Sequence, residues 1–338
     1  MTEVDARFKD RCRRLLIELE HCLPRDAISV LPLTGGVASD IALVKTGNFT
    51  SCVKFALAQL KVAEAWQAPV HRNKAEYSWL LAASQIVPAS VPKLYGRSDR
   101  EGGFAMEYLS GDQVYLWKTA LLAAQPDQGE APKVGYALGQ IHAASTTPNF
   151  NTAPFQNRDD FHALRLDPYL LFTSSRHPAL AKQLHFLVER LYVSDRVLVH
   201  GDVSPKNILF RDKIPVILDA ECATMGDASF DVAFCLNHLV LKALHLPQCR
   251  ESLLGNVLQF WDAYASCVIW EDPTELEARV CELLPALMLA RIDGKSPVEY
   301  LSDARRALTR RVSVSLIAAP KTTLADFVAA LKLEFEGN

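Results

Sequence analysis

Apolar positions along the chain follow two regimes. Up to about residue 109 they come in short runs and alternations, and beyond it they recur at helical spacing. Phe8, Cys12, Leu15, Leu16 and Leu19 stand three or four residues apart, so residues 5–22 predict an amphipathic helix packed on the segment that follows. Residues 31–44, LPLTGGVASDIALV, read as strand, glycine-bearing turn and strand. Residues 52–55 (CVKF) alternate as a strand does, 71–83 (HRNKAEYSWLLAA) carry a helical pattern, and 104–109 (FAMEYL) read as a strand ending in a Ser-Gly turn. Past residue 110 helices are expected over 134–144 and 179–195 and several times within 228–335, with a loop over 148–159. Two short apolar runs, 197–199 and 215–218, interrupt them as strands. The pattern predicts an α+β chain: a small β-rich part over 1–109 and a larger helical part over 110–338, with no internal repeat.

The two late strands bracket the residues that carry chemistry. Residues 197–221, VLVHGDVSPKNILFRDKIPVILDAE, set out His200, Asp202, Asn207 and Asp219 in the order that phosphoryl transfer from a nucleotide requires. A γ-phosphoryl group leaves through a loose transition state, so catalysis consists mostly of positioning the acceptor hydroxyl and neutralising oxygen charge with Mg²⁺. Asp202, in a tight loop after the first strand, is the candidate catalytic residue facing that hydroxyl. Asn207, five residues on, and Asp219, delivered by the second strand, are hard oxygen ligands suited to Mg²⁺.

This segment resembles the aminoglycoside phosphotransferase and choline kinase-like family of small-molecule kinases. That family's loop reads H-G-D-x-x-x-x-N, with Gly201 standing where protein kinases carry arginine. Asp219 Ala220 Glu221, followed by Gly226 Asp227 Ala228 Ser229 Phe230 Asp231, is similar to the family's metal-binding aspartate and its G-D-x-x-x-D helix start. Residues 165–169, RLDPY, resemble text found in methylthioribose kinases and related sugar kinases. The resemblance implies a two-lobed protein-kinase-like fold, with ATP as phosphoryl donor and Mg²⁺ as its partner.

Within that frame the early residues acquire roles. Gly35 and Gly36 allow close backbone approach to phosphates and Ser39 adds a hydroxyl, although a Gly-Gly hairpin is more often only a turn. Lys54, between apolar neighbours, resembles the lysine that holds the α- and β-phosphates. Glu76 is the preferred helix partner for it over Glu64, because Pro69 makes the stretch around Glu64 a loop approach. Backbone groups near Glu107 and Leu109 would pair with adenine, with Met106 behind the pocket; an edge strand without a ligand explains the same residues. His142 reads as a core residue. Asp231 either caps its helix or, as the family implies, braces the catalytic loop, and Glu221 either joins the metal or pairs with Lys206.

Only eleven residues separate Asp219 from Asp231, which leaves no room for the peptide platform of a protein kinase. The acceptor is expected to be a small hydroxylated molecule: a sugar, polyol or amino alcohol. An aminoglycoside is the second reading, and a nucleotide-binding pseudokinase a third of another class. The helical part mixes acidic residues (Glu271, Asp272, Glu275, Glu277, Glu282) with basic ones (Arg291, Lys295, Arg305, Arg306, Arg310, Arg311). The basic group would repel a polycation if it faced the cleft.

Composition narrows this little further. A net charge of −3 supplies no basic footprint for nucleic acid. Eight scattered cysteines without a CxxC pair fit a reduced compartment. Residues 1–20 have no apolar core of a leader, so a cytoplasmic location is expected. The most apolar run, 232–246, is broken by Asn237, His238 and Lys242 and is too short to span a bilayer, so no membrane role is expected. The oligomeric state is open, a homodimer included.

Overall fold

The computed structural model describes residues 5–33, 39–47, 49–57 and 71–336. Helix α1 (Ala6–Glu18) starts at Asp5, whose carboxylate accepts the backbone N–H of Arg7 at 3.0 Å. It buries Cys12, Leu15 and Leu16, each leucine stabilising by roughly 1.5–3 kcal/mol relative to exposure. Strands β1 (Ile28–Pro32), β2 (Ser39–Thr46), β3 (Phe49–Ala56), β4 (Leu94–Ser98) and β5 (Gly103–Met106) form an antiparallel sheet in the order β1-β2-β3-β5-β4. Helix α2 (Arg72–Ile86) runs between β3 and β4.

Strand β3 is buried on both faces, and its alternation sorts the two cores. Val53 and Phe55 join α1, Val44 and Ala105 in a small cluster, while Cys52 joins Trp79, Leu80 and Met106 in the large one. Lys54 therefore emerges on the α2 side, opposite Phe104 of β5. Strand β5 stops at Met106 rather than running to Leu109. Just beyond it the Glu107 side chain reaches Arg211 at 2.7 Å.

The larger part begins with β6 (Val114–Leu116), α3 (Trp117–Leu122) and α4 (Glu130–Ser145). A helical run follows: α5 (Arg158–Phe161), a π-wound stretch (His162–Leu171) and α6 (Phe172–Arg176). Pro168 sits inside the π-wound stretch, where its missing N–H disturbs the regular ladder. Helix α7 (Ala181–Val193) leads to β7 (Val197–Val199), β8 (Ile208–Arg211), β9 (Ile214–Ile217) and β10 (Thr224–Gly226). Strands β7 and β10 pair with each other, and β6-β8-β9 form a second small sheet.

Helices α8 (Ala228–His245), α9 (Arg250–Ala265), α10 (Pro273–Asp293), α11 (Asp303–Ala318) and α12 (Leu324–Glu336) complete the chain. Helix α8 is buried from Ala228 to Leu244, which accounts for its nearly continuous apolar text. Helices α4 and α9 approach closely at Gly135, where a Cβ would stand 2.3 Å from the Phe260 carbonyl oxygen. No helix among the described residues is long and apolar enough to cross a membrane.

Candidate active site

The loop after β7 is shaped by one glycine. Gly201 has φ +80°, and a Cβ on it would lie 2.8 Å from the Cys222 Cβ and 3.0 Å from that residue's carbonyl oxygen. Asp231, fully buried, accepts the N–H groups of His200 at 2.6 Å and Gly201 at 2.8 Å, so it braces this loop. The N-cap of α8 is Asp227, whose side chain accepts from the Ser229 N–H at 2.8 Å. His142 is a satisfied core residue, bonded to the Tyr264 hydroxyl at 2.8 Å.

The same loop fixes Asp202 and Asn207. His200 bridges it, with Nδ1 accepting the Asp202 N–H at 3.1 Å and Nε2 lying 3.1 Å from the Leu218 carbonyl. Burial keeps its pKa below the usual histidine value, against the pull of Asp231, Asp202 and Asp219. Asp202 is 3% exposed and lies 3.0 Å from both the Arg165 guanidinium and the Lys206 ammonium. Burial alone would raise its pKa, but Lys206 and Arg165 outweigh it and hold the carboxyl below the ordinary aspartate range. The Asn207 amide nitrogen donates to the Asp202 carbonyl at 3.0 Å, so its Oδ1 turns the other way and accepts no hydrogen bond.

Asp219 follows β9 with φ +71°, a conformation that an aspartate holds only at a cost of about 1–3 kcal/mol. Its carboxylate contacts the Lys54 ammonium and keeps 29% of its side chain exposed. Lys54 is paired at the same time with Glu76 of α2 at 2.7 Å. Burial opposes the lysine's charge, yet Asp219, Glu76 and Glu221 hold its pKa above the ordinary value. Burial pushes Glu76 up to about 7, against the attraction of Lys54.

Lys54, Glu76, Asp202, Asn207 and Asp219 are thus gathered in one place. Ser39 lies buried at the start of β2, opposite Ala56 and two residues from Lys54 in register. Gly35, Gly36 and the rival Glu64 lie outside the described residues. The Glu107 N–H is spent on the Lys93 carbonyl at 2.7 Å, whereas its carbonyl oxygen and the Leu109 backbone make no hydrogen bond with the described residues. Glu221 corrects both readings made of it. It pairs with buried Arg72 at 2.9 Å, because Arg72 stands one turn before Glu76 on the same face of α2. Arg72 escaped sequence reasoning; its i,i+4 spacing to Glu76 was the local signal available.

The basic stretch 291–311 is also redistributed. Arg310 is held by Asp293 at 2.7 Å, Lys295 by Asp167 at 3.0 Å and Arg311 by Glu334 at 3.5 Å, while Arg306 donates to backbone carbonyls. Arg291 and Lys295 both reach the π-wound stretch, Arg291 standing 3.4 Å from the Tyr169 hydroxyl and Lys295 pairing with Asp167.

Residues 29–267 match the model of the phosphotransferase enzyme family, APH. The chain belongs to that family. A methylthioribose kinase of Geobacillus sp. (strain WCH70) is 26% identical over 249 residues, covering 63% of this chain and 60% of that protein. The chain thus spans about three fifths of that curated relative's length. Among solved structures, a choline/ethanolamine kinase family protein from Mesorhizobium loti superposes with a TM-score of 0.55 at 14% identity, covering 97% of this chain and 99% of its own. The amicoumacin kinase hAmiN, solved in complex with AMP-PNP, Ca²⁺ and Ami, superposes with a TM-score of 0.55 at 13% identity, covering 95% and 98%. These two likenesses establish the two-lobed fold of this APH chain.

Proposed function

We propose that this APH chain is a small-molecule kinase that transfers the γ-phosphate of ATP to a hydroxyl of a sugar, polyol or amino alcohol. The observation that carries the reading is Lys54, paired with Glu76 and Asp219 beside the loop of Asp202 and Asn207. Fixed by two carboxylates, Lys54 is a permanent cation for phosphate oxygens. The unpaired Glu107 carbonyl and Leu109 N–H, at the junction we take as the lobe boundary near 109–110, suit the edge of an adenine ring, with Met106 behind it. Ser39, and the Gly35-Gly36 turn by sequence, would cover the phosphates.

Asp219 and Asn207 fit a Mg²⁺ ion. One offers a partly exposed carboxylate and the other an amide oxygen without a partner, both hard donors. No set of three or more His, Cys, Asp or Glu side chains gathers for a metal among the described residues, as suits an ion bound through few protein ligands together with substrate phosphates. When bound, Mg²⁺ supplies charge neutralisation at the phosphate oxygens.

Asp202 receives the acceptor hydroxyl and takes its proton late, since its depressed basicity suits a loose transition state better than early abstraction. Lys206, 45% exposed at the mouth of the site, adds positive charge next to that carboxylate. The name of the Geobacillus relative supports a sugar acceptor, and the nucleotide and divalent cation in the hAmiN complex support the donor. Incubation with Mg·ATP and a panel of pentoses, methylthioribose, polyols, choline, ethanolamine, homoserine and kanamycin tests the reading through ADP release and phosphoester formation. Turnover of a metabolite is expected. Highest kcat/KM on kanamycin would replace the metabolite reading with antibiotic phosphorylation, and no transfer to any acceptor by protein that binds ATP would end the kinase reading.

A further inference from the structure

Helix α8 carries a polar stripe that the phosphoryl-transfer site does not use. Asp231, His238, Lys242 and His245 recur on the face that also bears Phe234, in a helix that is mostly apolar. Lys242 is 1% exposed, and among the described residues its ammonium hydrogen-bonds only the His238 carbonyl of its own helix, at the limiting distance of 3.4 Å. No carboxylate of the described residues lies within ion-pair distance of it. Its ammonium stands 5.4 Å from the Tyr300 ring centre, and the Tyr300 hydroxyl is itself buried without a partner.

Other elements turn basic groups toward the same place. Arg291, at the end of α10, lies over the Tyr169 ring at 5.9 Å; its Nη1 donates to Ser296, but its Nε is buried without a partner and no carboxylate among the described residues holds it. Tyr169 packs on Phe234 at 5.5 Å, and Phe234 on His238 at 5.5 Å, so the π-wound stretch, α8 and α10 share this wall. Lys118 of α3 and Lys206 of the Asp202 loop also act electrostatically on His238. The nearby acids are already engaged, Glu299 by Lys118 at 2.5 Å and Asp202 by Arg165 and Lys206. Burial first, then Lys118 and Arg291, lower Lys242 to about 7, with Cys235 and Glu299 opposing.

A buried ammonium without a counter-charge is costly to fold, and such costs concentrate where a ligand supplies what is missing. A polycation would be repelled here, and a neutral polyol would leave the cations unmatched. We propose that Lys242, His238 and Arg291, with the Tyr300 hydroxyl, form a subsite for an acid group, carboxylate or phosphate, carried by the hydroxylated acceptor. This deepens the kinase reading and rests on it. Along α8, His238 and Lys242 lie about 10 and 16 Å beyond Asp231, so the acid group sits several bonds from the hydroxyl presented to Asp202.

The test is binding rather than turnover. Protein saturated with Mg·AMP-PNP, which blocks the phosphate-binding site, is titrated calorimetrically with ribonate against ribitol and with ribose 5-phosphate against ribose; the acid that binds more tightly identifies the group. At least one acid is expected to bind about tenfold or more tightly than its neutral partner. At pH 8 it should take up a proton, because the anion restores the charge on Lys242. Lys242→Met, and independently Arg291→Gln, should remove the preference while AMP-PNP affinity stays unchanged. The inference is overturned if the neutral compounds bind as tightly as the acids, if no acid binds at millimolar concentration, or if both variants keep the preference. The kinase reading falls separately, on failure of phosphoryl transfer to every acceptor.

Discussion

Two lysines in this molecule are equally buried and meet opposite fates. Lys54 is flanked by Glu76 and Asp219 and stays charged, whereas burial, with Lys118 and Arg291, outweighs the more distant pull of Cys235 and Glu299 on Lys242 and lowers it to about 7. Burial alone therefore predicts neither charge nor role. The carboxylates within reach decide both, and they divide the site into a charge-matched region, where we propose that the nucleotide binds, and an unmatched one along α8.

The contrast can be broken from the matched side first. Asp202→Asn leaves Arg165 and Lys206 without their counter-ion and removes the proton acceptor, so kcat should fall by about 10²- to 10⁴-fold. Nucleotide affinity, read by calorimetry, should hold. Glu76→Ala strips one carboxylate from buried Lys54 and should cost about 3 kcal/mol in denaturant unfolding, the usual penalty for halving a buried pair.

The unmatched side should respond with the opposite sign. Between about pH 7 and the ordinary lysine value of 10.5, the unfolded chain holds a proton that folded Lys242 has released, so stability rises with pH across that window. Lys242→Met should flatten this rise and stabilise the protein by about 2 kcal/mol at pH 7, visible as a higher midpoint in urea. If stability stays as pH-dependent as before, Lys242 is not the group responsible. Asn207→Ala should have the smallest effect. It creates no core cavity, so the unfolding midpoint should stay put while the Mg²⁺ concentration for half-maximal activity rises about tenfold, roughly 1.4 kcal/mol.

Much of the matched region was legible because its information is local. His200, Asp202, Asn207 and Asp219 lie within twenty residues, and the strands that set their geometry announce themselves as short apolar runs. Lys54 and Glu76 followed from their order relative to that loop. The division into a small antiparallel sheet and a larger helical part was legible for the same reason, from a change in apolar period. What escaped depends on pairs distant in sequence. Arg72 meets Glu221 from 149 residues away, which no spacing rule specifies. The run 291–311 looked like one basic surface, yet α11 turns Arg310 back onto Asp293, while Arg291 bonds Ser296 and stands beside Tyr169. Lys242 looked like an interruption of an apolar helix; its i,i+4 relation to His238 was the signal available.

Helix α2 holds the 219–221 segment by two ionic clasps one turn apart, Glu76 through Lys54 and Arg72 through Glu221. Swinging the small sheet away at this edge would have to open both at once. Mechanically, the first turns of α2 travel with the larger lobe. Their amide hydrogens should exchange with solvent in step with those of residues 219–222 and more slowly than those of the outer strand β1.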